Sequence, residues 1–152
     1  MPSWEYSAKL DPLTTSIASG RDLRISFKAA VEILNEIRGK RLDQAKKILE
    51  DVIQLKRPIP YRRFYKKVGH RKGAGFGPGR YPVKAAKEIL KIINNAEANA
   101  EYKGLNTEKL WIVHAVAHKG FKIKKYKPSA FGRATPYFKE TVHIEIGLEE
   151  RE

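Results

Sequence analysis

The sequence predicts an α+β fold: three helices packed on a small antiparallel sheet, with a long projecting β-hairpin. Three observations carry that prediction. Apolar residues recur at helical spacing in three separate segments. Two strand-like segments follow in the last third of the chain. Between those strands, residues 119–139 hold seven bases and no acid. At 152 residues, 41% of them hydrophobic, the chain reads as one domain, 1–152, long enough to bury a core.

Asp22 to Ser26 reads as a short strand, with Leu23 and Ile25 alternating against polar neighbours. Ser26 is also a candidate N-cap for a first helix, whose Phe27, Ala30, Val31 and Leu34 share one face. Gly39 ends that helix. A second follows, with Leu42, Ala45, Ile48, Leu49 and Val52 on one side. Asp43 suits its positive end and Lys56 and Arg57 its negative end, and Pro58 stops it. A third helix starts at Pro82 as a first-turn proline, buries Ala86, Ile89, Leu90, Ile93, Ala96 and Ala100, and closes at Gly104. Near its end Asn94, Asn95, Glu97, Asn99 and Glu101 form either a solvated face or a brace for a neighbouring element.

Trp111 to Lys119 is rich in strand formers, while Val142, Ile144 and Ile146 alternate with Thr141, His143 and Glu145. If these strands pair and run on, a hairpin over 111–146 extends about 30 Å beyond the sheet. Its tip lies near 128–136, with Pro128 and Pro136 interrupting the ladder and Gly132 turning it. An arm so basic, studded with Phe121, Tyr126, Phe131, Tyr137 and Phe138, cannot build a core and makes sense buried in a partner.

The charge names the class of that partner. Against 17 acids stand 31 bases, a net charge of +14, which points to a polyanion. The bases are unevenly spread. Lys56 to Lys84 carries ten and no acid, and Lys109 to Lys139 carries eight and no acid. Acids concentrate from Glu32 to Asp51, from Glu88 to Glu108, and in the ending Leu148 to Glu152. Mixed charge beside apolar periodicity reads as folded body, and acid-free basic stretches read as contact surface. Lysines and arginines neutralise phosphates and rings stack on unpaired bases, so folded RNA is the expected ligand. The candidate RNA-binding residues are Arg24 and Lys28 beside the first helix, and in the basic segment 56–81 Arg57, Arg62, Arg63, Lys66, Lys67, His70, Arg71, Lys72 and Arg80. The hairpin adds Lys119, Lys122, Lys124, Lys125, Tyr126, Lys127, Arg133, Tyr137 and Lys139.

Other chemistries find little support. The opening residues do not form a secretory signal, and no run reaches the roughly 18 apolar residues of a membrane span. With no cysteine, disulfides, thiol nucleophiles and cysteine zinc sites are excluded. The series Gly69, Gly73, Gly75, Gly77, Gly79 matches no nucleotide fingerprint and reads as an irregular, flexible basic loop. His114, His118 and His143 offer a conceivable three-histidine zinc site with only Glu145 as a companion acid, and read better as structural or RNA-contacting groups. Neither a cofactor nor catalysis is expected. The rival readings are a histidine-based nuclease and a free-standing RNA chaperone.

The order of segments resembles one known family, that of the universal large-subunit ribosomal protein numbered twenty-two, in its archaeal and eukaryotic form. The matching pieces are RDLRISFK, IRGKRLDQAKKIL, NNAEANAEYKGLN, WIVHAVAHKG, FGRATPY and HIEIGLEE, spread over Tyr6 to Glu149. Pro58 to Tyr81 looks like the insertion that the bacterial form largely lacks, and Met1 to Pro12 fits the same branch. The resemblance implies a body near the exit of the peptide tunnel in the large subunit of the cytoplasmic ribosome. It implies a hairpin threaded through ribosomal RNA, with Phe131, Gly132, Arg133 and Ala134 at its tunnel-facing tip. The implied partners are large-subunit ribosomal RNA, neighbouring ribosomal proteins around the tunnel and the passing nascent peptide, with no membrane.

Overall fold

Ser26 does open a helix. In the computed structural model, which describes residues 5–151, its hydroxyl accepts the Ala29 N–H at 3.4 Å and starts helix α1, Phe27–Ile37. Met1 to Trp4 of the opening segment, and Glu152 of the acidic ending, lie outside the described residues. Gly39, at φ +76°, takes the left-handed turn that ends α1. There its N–H donates to the Ile112 carbonyl at 2.8 Å, and Lys40 accepts from the Ile112 N–H at 3.0 Å. The turn into α2, Leu42–Ile53, is thereby tied to the sheet.

Helix α2 stops earlier than Pro58. Leu55 turns left-handed at φ +60°, and the Lys56 and Arg57 N–H groups fold back onto the Asp51 carbonyl at 2.8 and 3.3 Å. Chain reversal at an ordinary residue, which sequence pattern does not mark, does the work assigned to the proline. In α3, Val83–Tyr102, Pro82 is the N-cap rather than a first-turn residue. Helix α3 buries Ala85 and Ile92 beside the expected Ala86, Ile89, Ile93, Ala96 and Ala100, whereas Leu90 is only partly covered.

The main sheet has the order β1-β7-β4, all antiparallel. Its strands are β1 (Thr15–Leu23), β4 (Leu110–Ile123) and β7 (Lys139–Glu150). Two short pairs, β2 (Ile59–Pro60) with β3 (Gly79–Arg80) and β5 (Tyr126–Ser129) with β6 (Arg133–Pro136), complete the described set. The first strand is therefore longer and earlier than Asp22 to Ser26. Thr15, Ser16, Ser19 and Gly20 disguise it, since small polar residues carry weak strand signals. Ser16 and Thr15 are buried, and the Ser16 hydroxyl donates to the Ala96 carbonyl at 2.9 Å. Glu149 and Glu150, in the acidic ending, belong to β7.

β7 carries Val142, Ile144, Ile146 and Leu148, each fully buried, into the layer of helices. A large apolar side chain so buried contributes about 1.5–3 kcal/mol. β4 needs two bulges to follow β7. One extra residue lies between the pairs Ile112↔Leu148 and His114↔Gly147, and another between Lys119↔Val142 and Lys122↔Glu140. The first moves the inward set from Leu110 and Ile112 to Ala115, as a one-residue slip must. The second needs Gly120, where a Cβ would lie 2.4 Å from Thr141 Oγ1.

Beyond that second bulge only two strands remain. The register is continuous from Lys122↔Glu140 to Ser129↔Arg133. The ten residues from Gly120 to Ser129 span about 30 Å, and 124–139 are exposed throughout. The expected interruption falls at 124–125 and 137–138, beside Pro136, whereas Pro128 and Pro136 themselves lie within the β5–β6 pairing. Tyr137 N–H donates to the Lys125 carbonyl at 2.6 Å. Alternation of bonded and unbonded pairs then puts Tyr126↔Pro136 and Pro128↔Ala134 where no proline N–H is needed. The tip turns through two left-handed residues, Phe131 (φ +59°) as well as Gly132 (φ +68°).

Because every fully buried residue lies outside the arm, deleting 122–138 should leave the body folded. A thermal melt by circular dichroism should stay cooperative, with its midpoint within a few degrees of the full chain; loss of the transition would contradict this separation.

Candidate nucleic-acid interface

The basic segment 56–81 is held by acids of α1. Glu32, 1% exposed, accepts the backbone N–H groups of Arg62, Arg63 and Phe64 at 3.1, 2.9 and 2.7 Å. One helical turn on, Glu36 pairs with Lys40 at 3.0 Å and Arg57 at 2.9 Å. A carboxylate taking three N–H groups is a nest turned inside out, and it fixes the path of a chain that has little core of its own. The neck of the segment is closed by β2 and β3, by Tyr61 N–H to the Pro78 carbonyl at 3.0 Å, and by a bridge from His70 to Pro78. The segment is irregular, as expected, yet tied at many points. Gly79 is required there, because a Cβ would meet the Phe76 ring at 2.7 Å.

The candidate residues of this segment divide into two groups. Arg57 is paired with Glu36; Arg71 donates to the Gly79 carbonyl at 2.9 Å and lies over the Tyr81 ring; Arg80 lies over Tyr61. These three brace the fold. Arg62, Arg63, Lys66, Lys67, His70 and Lys72 are exposed like those three, with Arg63 against the Phe64 ring at 5.3 Å. Tyr61, pushed above the usual phenol range by burial, lines the neck.

A cleft of about 790 Å³ gathers the second cluster. It opens where the start of α1, the basic segment and the root of the hairpin meet. Its rim is Arg24, Lys28, Lys84, Lys119, Lys125 and Lys139, and its apolar floor is Ile25, Phe27, Phe64 and Ile123. Phe27 and Phe64 meet edge to face, centroids 6.3 Å apart. The single acid, Glu140, is shared by Lys119 and Lys122, each at 3.7 Å. Five candidates from distant parts of the chain thus converge. Lys84, the sixth base, closes the acid-free stretch Lys56 to Lys84 but is missing from the expected set.

Along the arm, Lys122, Lys124, Tyr126, Lys127, Arg133 and Tyr137 are exposed, with Lys127 Nζ 4.1 Å from the Tyr137 centroid and Tyr126 edge-on to Phe138. Phe131, Gly132, Arg133 and Ala134 form the far end, and Phe131 is 95% exposed. They are not brought near the cleft or the basic segment.

His114, His118 and His143 serve the sheet. His114 Nε2 lies 3.1 Å from Glu145, and the Ser7 N–H and hydroxyl donate to the same carboxylate, the former at 3.1 Å. His118 stands opposite His143, whose Nδ1 accepts the Asp22 N–H at 3.1 Å. Among the described residues no group of three or more histidines and acids could hold a metal ion, and no helix is long and apolar enough to cross a membrane. In the asparagine cluster, Asn99 donates to the Ile17 carbonyl at 3.0 Å and Glu97 pairs with Lys46. That end of α3 is a brace for β1 and α2.

Residues 18–149 match the family described as Ribosomal protein L22p/L17e. The chain belongs to that family. It is 58% identical to the large ribosomal subunit protein uL22 of Methanocaldococcus jannaschii, over 99% of this chain and 97% of that one. Against the protein of the same name from Thermofilum pendens it is 55% identical over 96% of each chain. Against that from Ignicoccus hospitalis it is 50% identical over the full length of both. As an L22p/L17e ribosomal protein the chain is a structural constituent and not an enzyme.

Two measurements probe the anchors of this interface. Replacing Glu32 by Ala should cost about 3 kcal/mol in urea unfolding, because three N–H groups lose a charged acceptor, and should open the segment after Arg62 to trypsin. Glu145 answers to pH. Burial alone would raise its carboxyl, but the Ser7 hydroxyl, the His114 ring, the Ser7 amide and the charge of His118 together outweigh it and hold the pKa below the ordinary 4.5. A lowered folded pKa means that Glu145 stabilises the fold above pH 4.5, and that this contribution drains away as pH falls through the folded value. Glu145→Gln should therefore weaken the fold at neutral pH and flatten its stability profile below pH 4.5 in urea titrations repeated across pH.

Proposed function

We propose that this L22p/L17e chain is a non-catalytic constituent of the large subunit of the cytoplasmic ribosome that binds large-subunit ribosomal RNA on two fronts. The body and the basic segment clamp RNA helices, and the hairpin threads between them. The observation that carries the reading is the arm. Residues 124–139 are exposed from end to end, include Lys124, Lys125, Lys127, Arg133 and Lys139, and hold no acid. Two strands with no core of their own gain order from a partner rather than from packing, and a polyanion is the partner that offsets their charge.

The same geometry suits a role at the peptide tunnel. An arm about 30 Å long can carry Phe131 to Ala134 from a body at the subunit surface to a wall inside it. There the tip would meet the nascent peptide, while the body meets neighbouring ribosomal proteins around the exit. By supplying positive charge between RNA segments that repel each other, the chain would also assist assembly of the subunit.

Binding to fragments of large-subunit RNA should weaken steeply with salt, each neutralised phosphate adding roughly 0.7 to 0.9 to the log–log slope. A nearly flat response would sink the RNA reading. On a sucrose gradient the chain should travel with the large subunit, and a chain found only in the soluble pool would rule out the ribosomal role.

A further inference from the structure

We propose that the cleft at the root of the hairpin takes a single unpaired nucleotide of RNA, its base against the Phe27–Phe64 floor and its phosphates on the surrounding bases. The proposal rests on the RNA reading above and specifies what one part of the surface recognises. A smaller cleft of about 340 Å³ also gathers bases, Lys40, Lys47 and Arg57, but it has no aromatic side chain in its lining. At the hairpin root the arrangement is concave as well. Six bases and one acid, itself held by two lysines, ring an apolar floor of two aromatic and two aliphatic side chains.

Concavity and composition decide the ligand. A bare phosphate would need no aromatic floor, and an apolar peptide side chain would need no ring of cations. A splayed-out nucleotide needs both, because its base presents a π-face and its backbone a charge on either side. The volume of about 790 Å³ falls in the range of small-ligand clefts and exceeds one nucleotide, leaving room for its two flanking phosphates. A fully paired helix cannot offer a base to such a cleft without unstacking it.

The rings are covered in part by flexible cations: Lys28 Nζ lies 5.8 Å from the Phe64 centroid and Lys119 Nζ 5.3 Å from that of Phe27. An exposed cation over a ring is held more weakly than a stacked base. Both lysines are long enough to swing from the rings to the phosphates of an incoming nucleotide. Arg63, on the loop beside Phe64, can remain stacked at 5.3 Å.

The test uses the full chain and two RNA stems of equal length, one perfectly paired and one with a single bulged 2-aminopurine. Expected are roughly tenfold tighter binding of the bulged stem, as one base stack implies, and a change in 2-aminopurine emission as the base meets the rings. Phe64→Leu should abolish the preference between the two stems. Equal affinity for both stems with normal salt dependence, or a preference that survives Phe64→Leu, would overturn the cleft proposal and leave the RNA reading standing. Binding to neither stem would overturn both. If Phe64→Leu fails to fold, the native chain still decides: unaltered 2-aminopurine emission on binding rejects the proposal.

Discussion

Everything in this molecule depends on a strand made last being placed in the middle. β7 pairs with β1 on one side and β4 on the other, so the main sheet does not exist until β7 has joined Thr15 to Glu149 and Leu110 to Glu150. Its Val142, Ile144, Ile146 and Leu148 supply the apolar surface on which the helices rest. Such long-range pairing carries a loop-closure penalty that only the completed core offsets. The same strand also leaves the body as one side of the arm. The arm is consequently rooted in the central strand β7 on one side and in the edge strand β4 on the other.

The second constraint is charge. A net +14 on 152 residues opposes compaction, and the fold answers by placing its few acids where they hold cationic chain in place. Glu32 and Glu36 take the backbone and side chains of the basic segment, Glu140 takes Lys119 and Lys122, and Glu97 takes Lys46. The acids do not neutralise the interface. They position its backbone and leave most of its bases facing outward, which suits a ligand that brings its own negative charge.

Much of this was legible in the order of residues. The faces of α1, α2 and α3 emerge from helical periodicity, Ser26 and Gly39 from capping chemistry, and Val142, Ile144 and Ile146 from strand alternation. β1 was not legible beyond Leu23, because Thr15, Ser16 and Gly20 are chosen for close packing beside α3 and not for apolar alternation; a Cβ at Gly20 would lie 2.5 Å from Ile92 Cδ1. Nor were the bulges of β4, since an extra residue between two strand-like runs leaves no compositional mark. Nor was the exact place of the break in the arm legible: it falls at 124–125 and 137–138 rather than at Pro128, because pairing phase is a property of two strands, not one.

By itself the sequence determined the class of fold and the family, and its charge pointed to a polyanion, because periodicity, net charge and segment order are all properties read along one dimension. Tertiary structure alone decided which bases act together. Arg24, Lys28, Lys84, Lys119, Lys125 and Lys139 meet around one cleft although they are scattered over more than a hundred positions, while Arg57, Arg71 and Arg80, though exposed, are engaged by Glu36, the Gly79 carbonyl and Tyr61. Convergence of that kind depends on register, bulges and the path enforced by Glu32. It follows from how surfaces fit once the core has closed, and no local stretch of residues records it.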